Sequence, residues 1–322
     1  MSGGTVSLES IRAASARIDG YVRRTPVMAA LPVKVPLGLD VRLTLKLECL
    51  QIVGSFKARG ASAKLTSLDD AAVRRGLVTA SGGNHGLGVA YAGWRVGVPT
   101  RVYLPRSTPE AKARQIAGWG AEVVYRGEVW DEANRAALAA AEAEGLTYVH
   151  AFADADVISG QGTVGLEMVE DVPDAEVMLV AIGGGGLISG IATAVKALRP
   201  EVRIVGVEAV GAPTLHASLA AGELVTLQKI ETAAGTLAPR RSAELNFEII
   251  RRLVDAVVLV SDDEMRKAAR WLWDEFAIAT ELSGAATVAA LMSGACRPPV
   301  GSHALALVCG AGSDGFPRPE AL

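Results

Sequence analysis

One lysine in this chain is placed where an amine can be made reactive. In the run Leu50-Gln51-Ile52-Val53-Gly54-Ser55-Phe56-Lys57-Ala58-Arg59-Gly60-Ala61, Lys57 follows a Gly-Ser turn and opens a stretch of small residues. Ser55 is expected to cap the helix start. The positive end of the helix dipole and an apolar surround disfavour an extra cation, so Lys57 should hold its amine neutral more readily than a solvated lysine. A neutral amine condenses with an aldehyde to a Schiff base. Most lysines near a helix start are solvated surface residues, so the tripeptide needs support from elsewhere in the chain.

The second chemical feature is Val177-Met178-Leu179-Val180-Ala181-Ile182 followed by Gly183, Gly184, Gly185, Gly186 and Leu187. A strand here delivers four glycines directly to a helix over about 187–198. Without side chains, backbone N–H groups can close on phosphate oxygens, and the helix N-terminus adds favourable potential for a dianion. Four glycines in succession also carry a folding-entropy cost that a ligand would explain. No Gly-Lys-Ser/Thr follows to reach a triphosphate, which disfavours ATP hydrolysis. A dinucleotide reading stands beside the phosphate cradle. Glu208 ends the next strand where a ribose-binding acid would lie, although Ile188 or Ser189 stands where the third glycine belongs.

Thr79-Ala80-Ser81-Gly82-Gly83-Asn84-His85-Gly86 is a second glycine turn between a strand and a helix. Ser81, the backbone amides and the helix start can hold a carboxylate, and Asn84 offers an amide donor to a phenolate-like oxygen. Alone, the segment would read as a simple asparagine turn. Leu305-Ala306-Leu307-Val308-Cys309-Gly310-Ala311 is a buried-looking strand ending in a cysteine. Such a cysteine is usually core, but a thiol can pair with a pyridine nitrogen without transferring a full proton.

These turns need a scaffold that presents strand ends, and the chain reads as one. Short apolar strands alternate with alanine-rich helical stretches, the pattern of an α/β protein with parallel sheets covered by helices on both faces. The expected strands cover 43–47, 77–80, 100–104, 121–125, 177–182, 203–207, 256–260 and 304–308. Ser261 and Glu264 form a capping box ahead of a helix over 264–276, and Thr108-Pro109-Glu110 opens another with proline in its first turn. Two strand–helix series, one over about 77–144 and one from about 177 onward, suggest a small lobe inserted in a larger one, with ligands between them.

Composition narrows the function. With 322 residues, half of them apolar and 21% charged, the chain can bury a large core. A net charge of −3, with no basic cluster interleaved with aromatics, gives no footprint for nucleic acid. Cys49, Cys296 and Cys309 are odd in number and widely spaced, which suggests neither a disulfide framework nor a zinc site and fits a reducing cytoplasm. The opening Met1-Ser2-Gly3-Gly4-Thr5 lacks the features of a signal peptide. Residues 177–195 carry no charge, but the glycine block would break a membrane-spanning helix in its middle.

Together these stretches resemble the fold-type II, tryptophan-synthase-β-like pyridoxal-phosphate enzymes, in their threonine/serine dehydratase and serine racemase branch. The resemblance runs nearly end to end. It covers Arg24-Thr25-Pro26, the block from Ser55 to Ala61, Ser81 to His85, the glycine block, Gly206-Val207-Glu208, Glu281-Leu282-Ser283-Gly284-Ala285 and the Cys309 turn. It implies two three-layer αβα lobes, a large one from 1–75 and 147–322 and a small mobile one from 76–146. It also implies pyridoxal 5'-phosphate in Schiff-base linkage to Lys57, Phe56 stacked near the ring, Asn84 at the ring hydroxyl oxygen and Cys309 at the ring nitrogen. The phosphate would rest on Gly183, Gly184, Gly185, Gly186 and Leu187, with Glu281 near the ring. Ser81, Gly82, Gly83, Asn84 and His85 would bind the substrate carboxylate. A homodimer is expected.

The implied reaction removes water and then ammonia from a β-hydroxy amino acid, L-threonine or L-serine, leaving a 2-oxo acid. The departing hydroxyl is expected to take its proton from the cofactor phosphate, because no histidine is suitably placed by motif; His150, His216 and His303 stay unassigned. Three departures bear on the details. Gly82 stands where racemases carry a serine. The segment after Glu208, Ala209-Val210-Gly211-Ala212-Pro213-Thr214, lacks the aspartates that complete a cation site in many relatives, so no metal is expected. The chain ends at Leu322, where no regulatory domain is expected to follow. The Cys309 turn with Gly211-Ala212-Pro213 and Pro239 also resembles hydroxyectoine-utilisation dehydratases, so another hydroxy amino acid, such as a hydroxyectoine derivative or 3-hydroxyaspartate, stays open. So do a nicotinamide-dependent oxidoreductase and a non-catalytic protein that binds the cofactor.

Overall fold

The computed structural model describes residues 5–313. The first four residues and Asp314 onward lie outside them. Among the described residues ten strands form two sheets: β1 Val27–Ala29, β2 Arg42–Leu47, β3 Leu77–Ala80, β4 Thr100–Leu104, β5 Glu122–Tyr125, β6 Thr147–Tyr148, β7 Val177–Ala181, β8 Arg203–Ala209, β9 Ala256–Val260 and β10 His303–Val308. The larger sheet has the order β1-β2-β10-β7-β8-β9, and only β1 runs antiparallel to its neighbour. The smaller has the order β5-β4-β3-β6 and is wholly parallel.

Helices cover the sheets because a parallel strand buried on both faces has no polar side to show solvent. Every residue of β7 and of β10 is buried. The helix Gly186–Leu198 that follows β7 is buried from Gly186 through Val195, which explains why residues 177–195 carry no charge. Among the described residues no helix is long and apolar enough to cross a membrane.

The eight expected strands all form, with ends displaced by up to two residues. Two strands were not expected, β1 and β6, of three and two residues. Strands that short present no period to read. The capping box closes as expected with Ser261 as N-cap, so the helix spans Asp262–Phe276 and begins two residues earlier than 264. Pro109 is the N-cap of the helix Glu110–Ala117 and lies outside its first turn.

A buried ionic network anchors the helix Lys57–Thr66. The Arg59 guanidinium, 1% exposed, donates from Nε to Glu48 Oε2 at 2.9 Å and from Nη2 to Glu48 Oε1 at 2.7 Å, and a third bond reaches Glu167 Oε1 at 2.7 Å. Lys46, on β2 and fully buried, donates to Glu167 and Asp171. Buried charges are tolerated only when paired and hydrogen-bonded in this way. The network fixes the start of the helix relative to β2 and to the helix Ala155–Asp171.

Candidate active site

Lys57 is the first residue of its helix, but the cap differs from the expected one. Phe56 holds the N-cap position, and the Ser55 hydroxyl is buried with no hydrogen-bond partner among the described residues. The preceding turn is tight, with Val53 at φ 60° and Gly54 at φ 75°. A β-branched residue at positive φ is strained and persists only where its surroundings hold it. Here the turn is stitched to the end of β10: Phe56 N donates to Cys309 O at 3.3 Å and Ala311 N to Gly54 O at 2.7 Å. Lys57 and Cys309 are thereby brought side by side.

The Lys57 amine turns inward, 5.1 Å from the centroid of the Phe56 ring, and donates to the Ala151 carbonyl at 2.6 Å. Burial pulls its pKa down from 10.5 to about 8, with Cys309 and Glu281 opposing the shift. The amine is therefore close to the point at which a lysine can work as a base or nucleophile near neutral pH.

The glycine block forms the expected bend between β7 and its helix. Gly185 has φ 92°, a conformation that L side chains avoid. Gly184 and Gly186 allow close approach by Phe152: a Cβ at Gly184 would lie 2.2 Å from the Phe152 ring, and one at Gly186 would lie 2.9 Å from the Phe152 carbonyl oxygen. The Gly184 carbonyl is tied outward, accepting from Ser242 Oγ at 2.9 Å and Asn246 Nδ2 at 2.8 Å. No hydrogen bond among the described residues engages the amides of Gly183 through Leu187. A glycine bend with the Gly184 carbonyl held outward and its amides unengaged at a helix N-terminus suits a phosphate.

The loop after β3 supplies polar groups on the smaller sheet's side. Asn84 is the first residue of the helix Asn84–Val96, and its Nδ2 donates to Glu281 Oε1 at 2.8 Å. Ser283 Oγ donates to the same oxygen at 2.6 Å. Because a carboxylate oxygen only accepts, the contact sets the orientation of the Asn84 amide and leaves its second Nδ2 hydrogen for another acceptor. Gly310 makes room for this pair: a Cβ there would lie 2.4 Å from Glu281 Oε1. Cys309 is buried, with Sγ 3.5 Å from the Ser283 carbonyl, and burial followed by Glu281 drives its thiol pKa up, so it stays protonated.

Ser81 Oγ accepts from Gly83 N at 3.3 Å. Gly82 faces Thr108, and a Cβ there would lie 2.7 Å from Thr108 Cγ2. The His85 imidazole is buried and turned away, with Nε2 donating to Val149 O at 2.9 Å. Burial, with Lys57 next in weight, lowers its pKa to about 3, so the ring stays neutral.

Several residues of this site carried no sequence signal. Ala151 contributes only a carbonyl, and Phe152, Ser242 and Asn246 act by packing or by holding backbone. His150 was unassigned and stands next to Ala151. His303 instead pairs with Thr44 and Asp174. The Glu208 carboxylate, buried with its pKa raised to about 7, accepts from Leu215 N and His216 N, both at 2.8 Å. It caps the helix Thr214–Ala221 and is therefore occupied, which removes the acid on which the dinucleotide reading depended.

Residues 18–310 match the family profile described as pyridoxal-phosphate dependent enzyme. An L-threonine ammonia-lyase of Geobacter sulfurreducens is 42% identical over 283 residues, covering 88% of this chain and 70% of that protein. The structure of maize serine racemase superposes with a TM-score of 0.91 at 36% identity, covering 96% of this chain and 94% of that one. The processed form of threonine deaminase isoform 2 from Solanum lycopersicum superposes with a TM-score of 0.88 at 34% identity, covering 95% and 83%.

Proposed function

The chain belongs to the pyridoxal-phosphate dependent enzymes, and from that premise we propose that it is a threonine and serine dehydratase, an ammonia-lyase that converts a β-hydroxy amino acid to a 2-oxo acid. One observation carries the reading. A lysine amine held near neutrality and an unengaged glycine cradle are joined through adjacent residues, Ala151 accepting from Lys57 and Phe152 packing on Gly184.

Bound pyridoxal phosphate supplies the electron sink that acidifies the α-carbon and lets the β-hydroxyl leave. The chain's own residues divide the remaining work. The amides of Gly183, Gly184, Gly185, Gly186 and Leu187 bind the phosphate. Asn84, oriented by Glu281, would offer its second amide hydrogen to the ring oxygen, and Phe56, next to Lys57, would flank the ring. Cys309 keeps its proton and so would give the ring nitrogen only a weak partner, a setting that favours elimination over transamination. Ser81, Gly82, Gly83, Asn84 and the His85 amide receive the substrate carboxylate. Lys57 Nζ takes the α-proton, and a pKa of about 8 suits that transfer near neutral pH.

Serine racemases are also similar to this chain, and Gly82 separates the two readings. Racemisation needs a second proton-transfer group on the face opposite the lysine. Gly82 itself offers none, and the space a side chain there would need is taken by Thr108, whose Cγ2 and Oγ1 lie 2.7 and 2.9 Å from where a Cβ would stand.

The division into a lobe of 1–75 with 147–322 and a lobe of 76–146 is part of the proposal, supported by the separate sheet that holds β3, β4 and β5, although that sheet also takes in β6, Thr147–Tyr148, just past the expected boundary. A homodimer in a reducing cytoplasm is proposed with it; three buried, unbridged cysteines support the compartment.

The test is turnover. Holoenzyme is incubated separately with L-threonine, L-serine, threo-3-hydroxyaspartate and hydroxylated diaminobutyrate derivatives, and 2-oxo acid and ammonia are measured. Stoichiometric release of both from threonine or serine is the expected result. Release from only one of the other substrates would reassign the substrate, and release from none would refute the dehydratase.

A further inference from the structure

We propose that His150 is a positioning residue for the cofactor site: its imidazole staples the turn that places the Ala151 carbonyl on Lys57 and the Phe152 ring on the glycine bend. The inference rests on the function proposed above, which it extends to a residue outside the expected site.

The geometry defines the protonation state of the ring. His150 Nδ1 accepts from Phe152 N at 3.1 Å and from Ala153 N at 2.8 Å. Two N–H groups aimed at one ring nitrogen require a lone pair there, so the proton of the neutral imidazole sits on Nε2. An imidazolium would place an N–H against two N–H donors. The titratable groups around the ring agree: burial and Lys57 lower the His150 pKa to about 4, with only Asp154 opposing. His85, also neutral, adds no positive charge.

The pattern is that of a side chain accepting the amides two and three residues ahead. Asp154 does the same one turn later, its Oδ1 accepting from Asp156 N at 2.9 Å and Val157 N at 3.1 Å. At position 150 an imidazole nitrogen takes the place of the carboxylate oxygen that usually closes such a turn. The closed turn has three consequences. The Ala151 carbonyl faces the Lys57 amine at 2.6 Å. The Phe152 ring, edge-on to His150 with centroids 4.7 Å apart, covers Gly184. The Phe152 carbonyl accepts from Asn246 Nδ2 at 3.0 Å, and the same amide group also donates to Gly184 O. One side chain thus couples the amine anchor to the phosphate anchor.

The test uses the covalent position of the acceptor. Asn Oδ1 and His Nδ1 are both bonded to Cγ, so His150→Asn keeps an acceptor in place, while His150→Leu removes it and His150→Gln moves it one bond farther out. Pyridoxal phosphate affinity is measured by absorbance titration, and exchange of the Phe152 and Ala153 amides is followed in the apoprotein. Loss of two neutral hydrogen bonds is expected to weaken affinity about tenfold in H150L and H150Q. H150N is expected to recover most of that loss, and the two amides to be protected in the wild type and H150N only. If H150N were as impaired as H150L, the Nε2 proton would be the functional group and the proposal would be wrong. Unchanged affinity in H150L would overturn it as well. The exchange measurement needs no cofactor, so wild-type protein that failed to take up pyridoxal phosphate would refute the function above while leaving the staple to be judged by the amides.

Discussion

Replacing Lys57 by methionine should reverse a penalty built into the fold, and the penalty has a pH signature. In the unfolded chain the amine keeps its proton up to about 10.5, whereas in the folded apoprotein it releases it near 8. Between those values the unfolded state binds more protons, so stability of the wild-type apoprotein rises with pH across that window; below 8 the penalty is full and constant. A lowering of about 2.5 units at 1.36 kcal/mol each sets an upper bound of about 3.4 kcal/mol, and partial solvent access to the side chain reduces this to about 2–3 kcal/mol. K57M carries no such group, and the His85 and His150 rings, whose titration Lys57 influences, titrate below the pH range used. Urea unfolding of both apoproteins at pH 7, 9 and 10.5 should therefore show the wild type gaining about 2–3 kcal/mol on the variant from the lowest pH to the highest. A stability difference that stayed flat with pH would refute the claim that the amine is desolvated in the fold.

Arg59→Met leaves Glu48 buried without its bidentate partner and should cost about 3–5 kcal/mol in urea unfolding, more than any surface ion-pair deletion. Gly184→Ala puts a methyl group into the Phe152 ring and should weaken pyridoxal phosphate binding at least about tenfold in an absorbance titration, because the ring or the bend must move. Asn84→Asp sets a second carboxylate against Glu281 and removes the amide hydrogen offered to the ring oxygen. Cofactor affinity and kcat should both fall, and a normal titration curve for the variant would remove Asn84 from the site.

Much of the scaffold could be read because its physics is local. The uninterrupted apolar residues of β7 and β10 signal strands buried on both faces, and a glycine run between such a strand and an apolar helix signals a turn open to an anion. Lys57 was legible because its flanking turn and small residues are contiguous with it. Other parts depend on contacts distant in sequence. Ser55 was expected to cap the helix, but the turn it occupies is held by the Cys309 segment, which leaves its hydroxyl facing the interior. Glu208 lay where a ribose acid would be expected, and only the folded chain shows it capping the helix Thr214–Ala221. Ala151 acts through a carbonyl and Phe152 through van der Waals contact, and neither residue type announces such a role. In sequence His150 is an isolated histidine, and only the fold brings the amides of Phe152 and Ala153 onto one of its nitrogens.

The most direct test of the account is reduction of the holoprotein with borohydride, followed by digestion and mass analysis of the pyridoxyl-bearing peptide. The account predicts loss of the visible absorbance, loss of 2-oxo acid production from L-threonine, and a single label on Lys57. A label on any other lysine, or an unlabelled protein that still deaminates threonine, would contradict it.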